Sequence, residues 1–201
     1  MQILYAYNPK SRQEDQIESK QALYSVKQNV IYKEVGENTE YEEEIKRLWE
    51  LGDPFIICEQ DIVPTQKDID ELEQCQHPFC ASKYLLYPKT TGLKEPVCAH
   101  RNVIKGSSGI IYETRWISDL SMENMRIDGE VSYCKIPTTN FVNESDQFCD
   151  LFGFGLTKIT PKGKYPIAIG SWKTIDSRLS KWTWQQHIKC HLHGYVKHNH
   201  R

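Results

Sequence analysis

Two acids one residue apart close an apolar run in Pro54-Phe55-Ile56-Ile57-Cys58-Glu59-Gln60-Asp61-Ile62-Val63-Pro64. Side chains two apart share one face of a strand, so Glu59 and Asp61 can point the same way. Carboxylates so placed repel each other unless a cation lies between them. A hard divalent ion, Mn2+ or Mg2+, meets that need through one or two carboxylates plus the oxygens of a substrate phosphate. The plainer alternative is a solvated strand end, since short acid-x-acid patterns recur by accident. A second group of ligating residues lies far along the chain: His187, Cys190, His191, His193, His198 and His200. Imidazole and thiolate suit Zn2+, so this tail supports a rival reading as a zinc-binding structural or interaction protein. Its spacing fits no finger pattern, and that reading leaves Glu59 and Asp61 unexplained. Asp176, in "SWKTIDSRL", is either a base toward a hydroxyl or an acid favoured by a helix N-terminus.

Elements must bring these groups together. "MQILYAY" reads as a strand ended by Asn8-Pro9. A helix is expected from Arg12 to Lys27, with Ser11 as N-cap and Glu14 at its third position. Asn29 to Val35 alternates as a strand, and Tyr41 to Leu51 places Tyr41, Ile45, Leu48 and Trp49 at helical spacing before Gly52. "PFIIC" is a near-continuous apolar strand of the kind buried on both faces. Gln66 to Cys75 reads as a helix opened by Thr65, with Ile69 and Leu72 on one side. This alternation predicts an α/β fold with a mainly parallel central sheet. Ligands of such sheets collect outside the carboxyl ends of the strands, where the acidic pair falls. From about Ala81 to Asn143 the pattern breaks into short strands and loops. It resumes in "DLFGFGLTKIT", where Gly153 and Gly155 inside a strand point to close approach of the backbone to a ligand or neighbour. Ser171 to Trp184 reads as helical.

A chain of 201 residues is large enough to bury a core of its own, and residues 1–201 read as one domain. The formal net charge of −2 gives no electrostatic case for nucleic-acid binding. No apolar run approaches the ~20 residues of a membrane span, so no transmembrane segment is expected. The first residues show no signal-peptide pattern, which sets a cytoplasmic expectation, or host cytoplasm if the source is a virus. Seven cysteines, an odd number with no Cys-x-x-Cys pair, argue against a secreted disulfide framework and leave pairing open.

Several segments occur in a telling order: "CEQDIVP", "LEQCQHPFCASKY", "GFGLTKIT", "WKTID" and "HLHGYVKHNH". In this combination the chain resembles the GT-A glycosyltransferases, and more narrowly the small single-domain members carried by bacteria, phages and archaeal viruses. The matches span Tyr41–Tyr84 and Phe152–Arg201, and residues 86–150 read as an insertion or acceptor-side region. The resemblance implies a metal-dependent hexosyltransferase, inverting through Asp176, that takes a UDP- or GDP-sugar as donor. Its acceptor would be a hydroxyl of a carbohydrate, glycoprotein or lipid. By similarity Asp61 binds the metal directly, while Glu59, a departure from the commoner D-x-D, contacts it through water or holds the donor ribose. A third metal ligand is expected from His198, with His200 and His193 behind it. Asp176 takes the general-base role, Tyr7 stacks on the nucleotide base, and Asn8 hydrogen-bonds it. Trp172 either stacks on a sugar or belongs to the core. A metal-dependent nuclease would also present acids at a strand end, but the lysine expected past the second acid is replaced here by Ile62 and Val63.

Overall fold

The computed structural model describes residues 1–10, 13–36, 38–86, 97–98, 100–105, 111–116, 122–126, 135–136, 147–150, 152–167 and 175–199. In chain order the first half comprises β1 (Gln2–Tyr7), α1 (Gln13–Tyr24), β2 (Asn29–Glu34), α2 (Asn38–Leu51), β3 (Phe55–Glu59), β4 (Ile62–Val63), α3 (Gln66–Gln74) and β5 (Phe79–Lys83). There follow β6 (Leu85–Leu86), β7 (Val97–Cys98), β8 (Arg101–Lys105), β9 (Ile111–Trp116), β10 (Met122–Arg126) and β11 (Lys135–Ile136). The chain then forms β12 (Phe148–Cys149), β13 (Leu156–Ile159), α4 (Ile175–Gln185), β14 (Cys190–Tyr195) and β15 (Lys197–His198).

A seven-stranded sheet, ordered β12-β14-β5-β13-β3-β1-β2, forms the centre. Five of these strands run in one direction, and β12 and β13 run against their neighbours. The chain is therefore a mixed α/β fold, with β13 lying antiparallel between β3 and β5. Residues 101–136 contribute a separate antiparallel sheet, ordered β11-β10-β9-β8.

Alternation along the central strands sorts the core into two layers. Leu4 and Ile57 face a cluster with Ile45, Leu48 and Trp49 of α2 and Ile175 and Leu179 of α4. Ile3, Tyr5, Ile56 and Cys58 face the other way, onto Leu23 of α1 and Ile69 and Leu72 of α3. Helices thus cover both faces, as the apolar character of β1 and β3 requires. Among the helix starts, α3 opens as the sequence predicts. The Thr65 hydroxyl accepts from the Asp68 backbone N–H, and the Asp68 carboxylate accepts from the Thr65 N–H at 2.7 Å, a reciprocal capping box. The α1 N-cap expected at Ser11 lies outside the described residues. Arg178 of α4 pairs with the buried Glu42 of α2, tying the two helices on that face. Cys75, just past α3, forms a disulfide with Cys80 in β5, with Cα atoms 6.8 Å apart. No helix among the described residues is long and apolar enough to cross a membrane.

Candidate active site

The carboxyl ends of β1 and β3 lie side by side, with Ala6 opposite Glu59. A cleft of about 330 Å3 opens there, lined by Asn8, Gly36, Tyr41, Glu59, Gln60 and Asp61, among others. Glu59 is held from both ends of its own residue. Its backbone N–H donates to the Gly155 carbonyl at 2.8 Å, and its Oε2 accepts from the Gly155 N–H at 3.2 Å. Gly155 sits at φ +25°, a value that side chains rarely adopt. An added Cβ would also overlap the Tyr84 ring, lying 2.6 Å from its Cδ1. The glycine is required by both conformation and space.

Burial raises the Glu59 pKa to about 8, helped by the nearby charges of Asp176 and Asp61 and opposed by the Gly155 hydrogen bond. The residue keeps some surface open to the cleft, but it is the packing around the carboxylate that sets its proton affinity. At neutral pH, without a cation, Glu59 therefore carries a proton much of the time.

Asp61 lies in the two-residue turn between β3 and β4, and the last strand of the chain returns to meet it. β15 pairs antiparallel with β4, placing His198 opposite Ile62. The Asn199 N–H then donates to the Asp61 carbonyl at 2.7 Å. That register sets His198 Nε2 3.2 Å from Asp61 Oδ2, with the imidazole only 5 % exposed and the carboxylate 22 %. The His198 ring also rests on Tyr84, with centroids 5.2 Å apart.

Asp176 occupies the first turn of α4, with Oδ1 accepting from the Ser177 N–H at 2.7 Å. Its Oδ2 lies about 3.8 Å from where a Cβ on Gly153 would sit. Its charge is felt by both Glu59 and Tyr41. Asp176 thus belongs to the same cluster as the acidic pair.

On the β1 side, Asn8 is locked by its backbone. Its N–H donates to Gln60 Oε1 at 2.8 Å, and its carbonyl accepts from Gln16 Nε2 at 2.6 Å. The Asn8 Oδ1 accepts from the Lys10 N–H at 2.9 Å, a local turn. Tyr7 stacks on Tyr5 and lies under the Lys20 ammonium, 3.6 Å from its ring centroid. Its ring already has neighbours on this side of the sheet.

The structure thus brings together Glu59, Asp61, Gly155, Asp176 and His198, with Asn8 on the cleft wall. It does not bring His193 to them. That residue faces α3, with Nδ1 4.0 Å from Glu71 Oε2 and Nε2 3.3 Å from His191 Nδ1. His200 and Trp172 lie outside the described residues. Three participants had no signal that sequence reasoning used. Tyr84 fills the space left by Gly153 and Gly155, which lie just before β13 rather than inside a strand as the sequence suggests, because the chain bends there to let the Tyr84 ring in. Gln60, between the two acids, ties Asn8 in place. Tyr41 occupies one of the apolar helix positions in the sequence, yet its hydroxyl stays protonated through burial and the neighbouring charges of Glu59 and Asp176.

The Asp61–His198 pair is spaced to take a divalent ion. Two ligands at ~2.1 Å and right angles on an octahedral ion lie roughly 3 Å apart, close to the 3.2 Å between Asp61 Oδ2 and His198 Nε2. Carboxylate and imidazole together suit Mn2+.

No family model matches the chain, and none of the curated proteins does. Among solved structures it is similar to A197 from STIV, at a TM-score of 0.44 and 12% identity, over 98% of this chain and 84% of that one.

Proposed function

We propose that the chain is a metal-dependent glycosyltransferase of the GT-A type. In this reading it moves a sugar from a UDP- or GDP-linked donor to a hydroxyl of a carbohydrate, glycoprotein or lipid. The observation that carries this reading is the approach of His198 to Asp61 at the carboxyl ends of β1 and β3. Residues 137 positions apart in the chain have no local reason to meet there.

Asp61 and His198 would hold Mn2+ or Mg2+ directly, and Glu59 would hold it through water or face the donor ribose. Once bound, the ion supplies charge neutralisation for a diphosphate leaving group. The remaining roles fall to the chain itself. Asn8 and Gln60 form the wall toward the nucleoside, their backbone and side chain locked together. Tyr84 closes the floor beneath Gly153 and Gly155 and keeps water from the inner side of His198. Asp176, across from Glu59, accepts the proton of the acceptor hydroxyl, at Oδ2, since Oδ1 is taken by the Ser177 N–H.

Calorimetric titration with UDP and GDP in Mn2+ tests the assignment. Asp61→Ala and His198→Ala should each weaken binding at least tenfold while leaving the circular dichroism spectrum intact. Asp176→Asn should keep nucleotide affinity and lose transfer by 100-fold or more, on the order expected for a general base. Unchanged nucleotide affinity in Asp61→Ala would overturn the reading, and transfer persisting in Asp176→Asn would remove that residue from the base role.

A further inference from the structure

A second convergence of ligating atoms lies apart from the acidic cleft, at the end of α3. Cys75 Sγ is 3.4 Å from His191 Nδ1, and that same nitrogen is 3.3 Å from His193 Nε2. The three atoms all lie within 4.8 Å of one another. The register of β14 on β5 produces this arrangement. His191 pairs with Cys80 and His193 with Ser82, so both imidazoles leave one face of the strand. Cys80, on the neighbouring strand, is bonded to Cys75.

The two shorter separations are those of a tetrahedral zinc shell. With Zn–N near 2.05 Å and Zn–S near 2.3 Å, two nitrogens lie about 3.3 Å apart and a nitrogen and a sulfur about 3.5 Å. Hydrogen bonding alone satisfies the contacts less well, because His191 Nδ1 has a single proton or a single lone pair to share between a sulfur and a second imidazole. Both sulfurs, that of Cys75 and that of Cys80 as the fourth ligand, are committed to each other in the Cys75–Cys80 bond until it is reduced. The Cα atoms of that pair, 6.8 Å apart, leave room for the sulfurs to separate to the ~3.8 Å that a shared zinc needs.

We propose that Cys75, Cys80, His191 and His193 form a Zn2+ site in the chain whose Cys75–Cys80 bond is reduced. Binding displaces one proton from each thiol and uses His191 through Nδ1 and His193 through Nε2. The outer surroundings suit the role. His193 Nδ1 faces the Glu71 carboxylate at 4.0 Å, the arrangement that orients a zinc-bound imidazole. The His191 ring packs against both His77 and Phe148, with centroids at 4.7 and 5.0 Å. The Lys158 ammonium donates to the Cys75 carbonyl, fixing the loop that carries the first sulfur. The site would join the end of α3, β5 and β14. It shares no residue with the Glu59–Asp61–His198 cluster and does not depend on the function proposed for it.

The test uses the full chain reduced with a water-soluble phosphine, which takes an oxygen from water and leaves two thiols. After equilibration with Zn2+ and exhaustive dialysis, elemental analysis should give one zinc per chain. Cobalt in place of zinc should give the intense thiolate-to-metal absorption of a tetrahedral sulfur-ligated site. Cys75→Ser and His193→Ala should each lower zinc retention to a tenth or less, while Asp61→Ala retains it in full. Cobalt without the thiolate band in the native sequence would overturn the proposal even if the variants fail to fold. So would zinc retained equally in Cys75→Ser, lost in Asp61→Ala, or absent from the reduced protein.

Discussion

Glu59 is the residue whose chemistry the surroundings alter most. Its carboxyl titrates near pH 8 rather than at the ordinary 4.5. Between those values the folded chain holds a proton that the unfolded chain has lost, so stability falls as pH rises across the window. The contribution is fully present below about pH 4.5 and gone above about pH 8. Thermal unfolding of the metal-free protein should show the melting temperature of the native sequence declining by several degrees more than that of Glu59→Gln between pH 5 and 8. Parallel curves for the two proteins would mean that the carboxyl is ordinary. A cation placed beside Glu59 favours the deprotonated form, so added Mn2+ should flatten the decline. The sequence made the pair Glu59 and Asp61 legible through alternation alone. It did not tell the two acids apart, because what sets Glu59 apart is its burial in the fold, with the charge of Asp176, 117 positions away, adding to it.

At the scale of elements, the strand and helix order through α3 could be read directly, because each segment carries its own period and stop signals. The apolar run of β3, the Thr65 cap and the Gly52 stop are local facts. The direction of β13 was not readable. A strand's sequence looks the same whichever way it runs, and its antiparallel place between β3 and β5 depends on the long excursion before it. That direction matters to the cleft, since it brings the segment leading into β13, with Gly153 and Gly155, beside the end of β3. Gly155→Ala combines an unfavourable φ with overlap on a buried aromatic ring. It should destabilise the fold by about 3 kcal/mol, in the range of overpacked cores and strained backbone combined. Urea unfolding of Gly155→Ala beside Gly163→Ala provides the check. Gly163 also has positive φ, at 66°, but open space around it, so it should lose much less. Equal losses would show that backbone conformation alone sets the cost.

For the whole molecule, the histidine-rich tail looked like one cluster in the sequence and is divided by the fold into two. Alternation on β14 sends His191 and His193 toward α3, while the β15–β4 pairing carries His198 to Asp61. Spacing within the tail could not reveal this division, because the partners, Cys75 on one side and Asp61 on the other, lie more than a hundred residues earlier. Between these halves of the chain runs the excursion that carries β6 to β11. It departs just past Tyr84 and is followed by Gly153, the residue that Tyr84 covers. The chain on either side of the excursion therefore meets at Tyr84 and Gly153. Loop-closure entropy changes slowly with length, so replacing residues 87–146 with a brief glycine–serine tether should preserve cooperative unfolding and Mn2+-dependent UDP or GDP affinity, with some loss of stability from removing the fully buried His100 ring that packs on Tyr84. Loss of the folded state in that deletion would show that the excursion is part of the framework. A segment whose two flanks meet at one point can change in length without moving the strands that carry Glu59, Asp61 and His198.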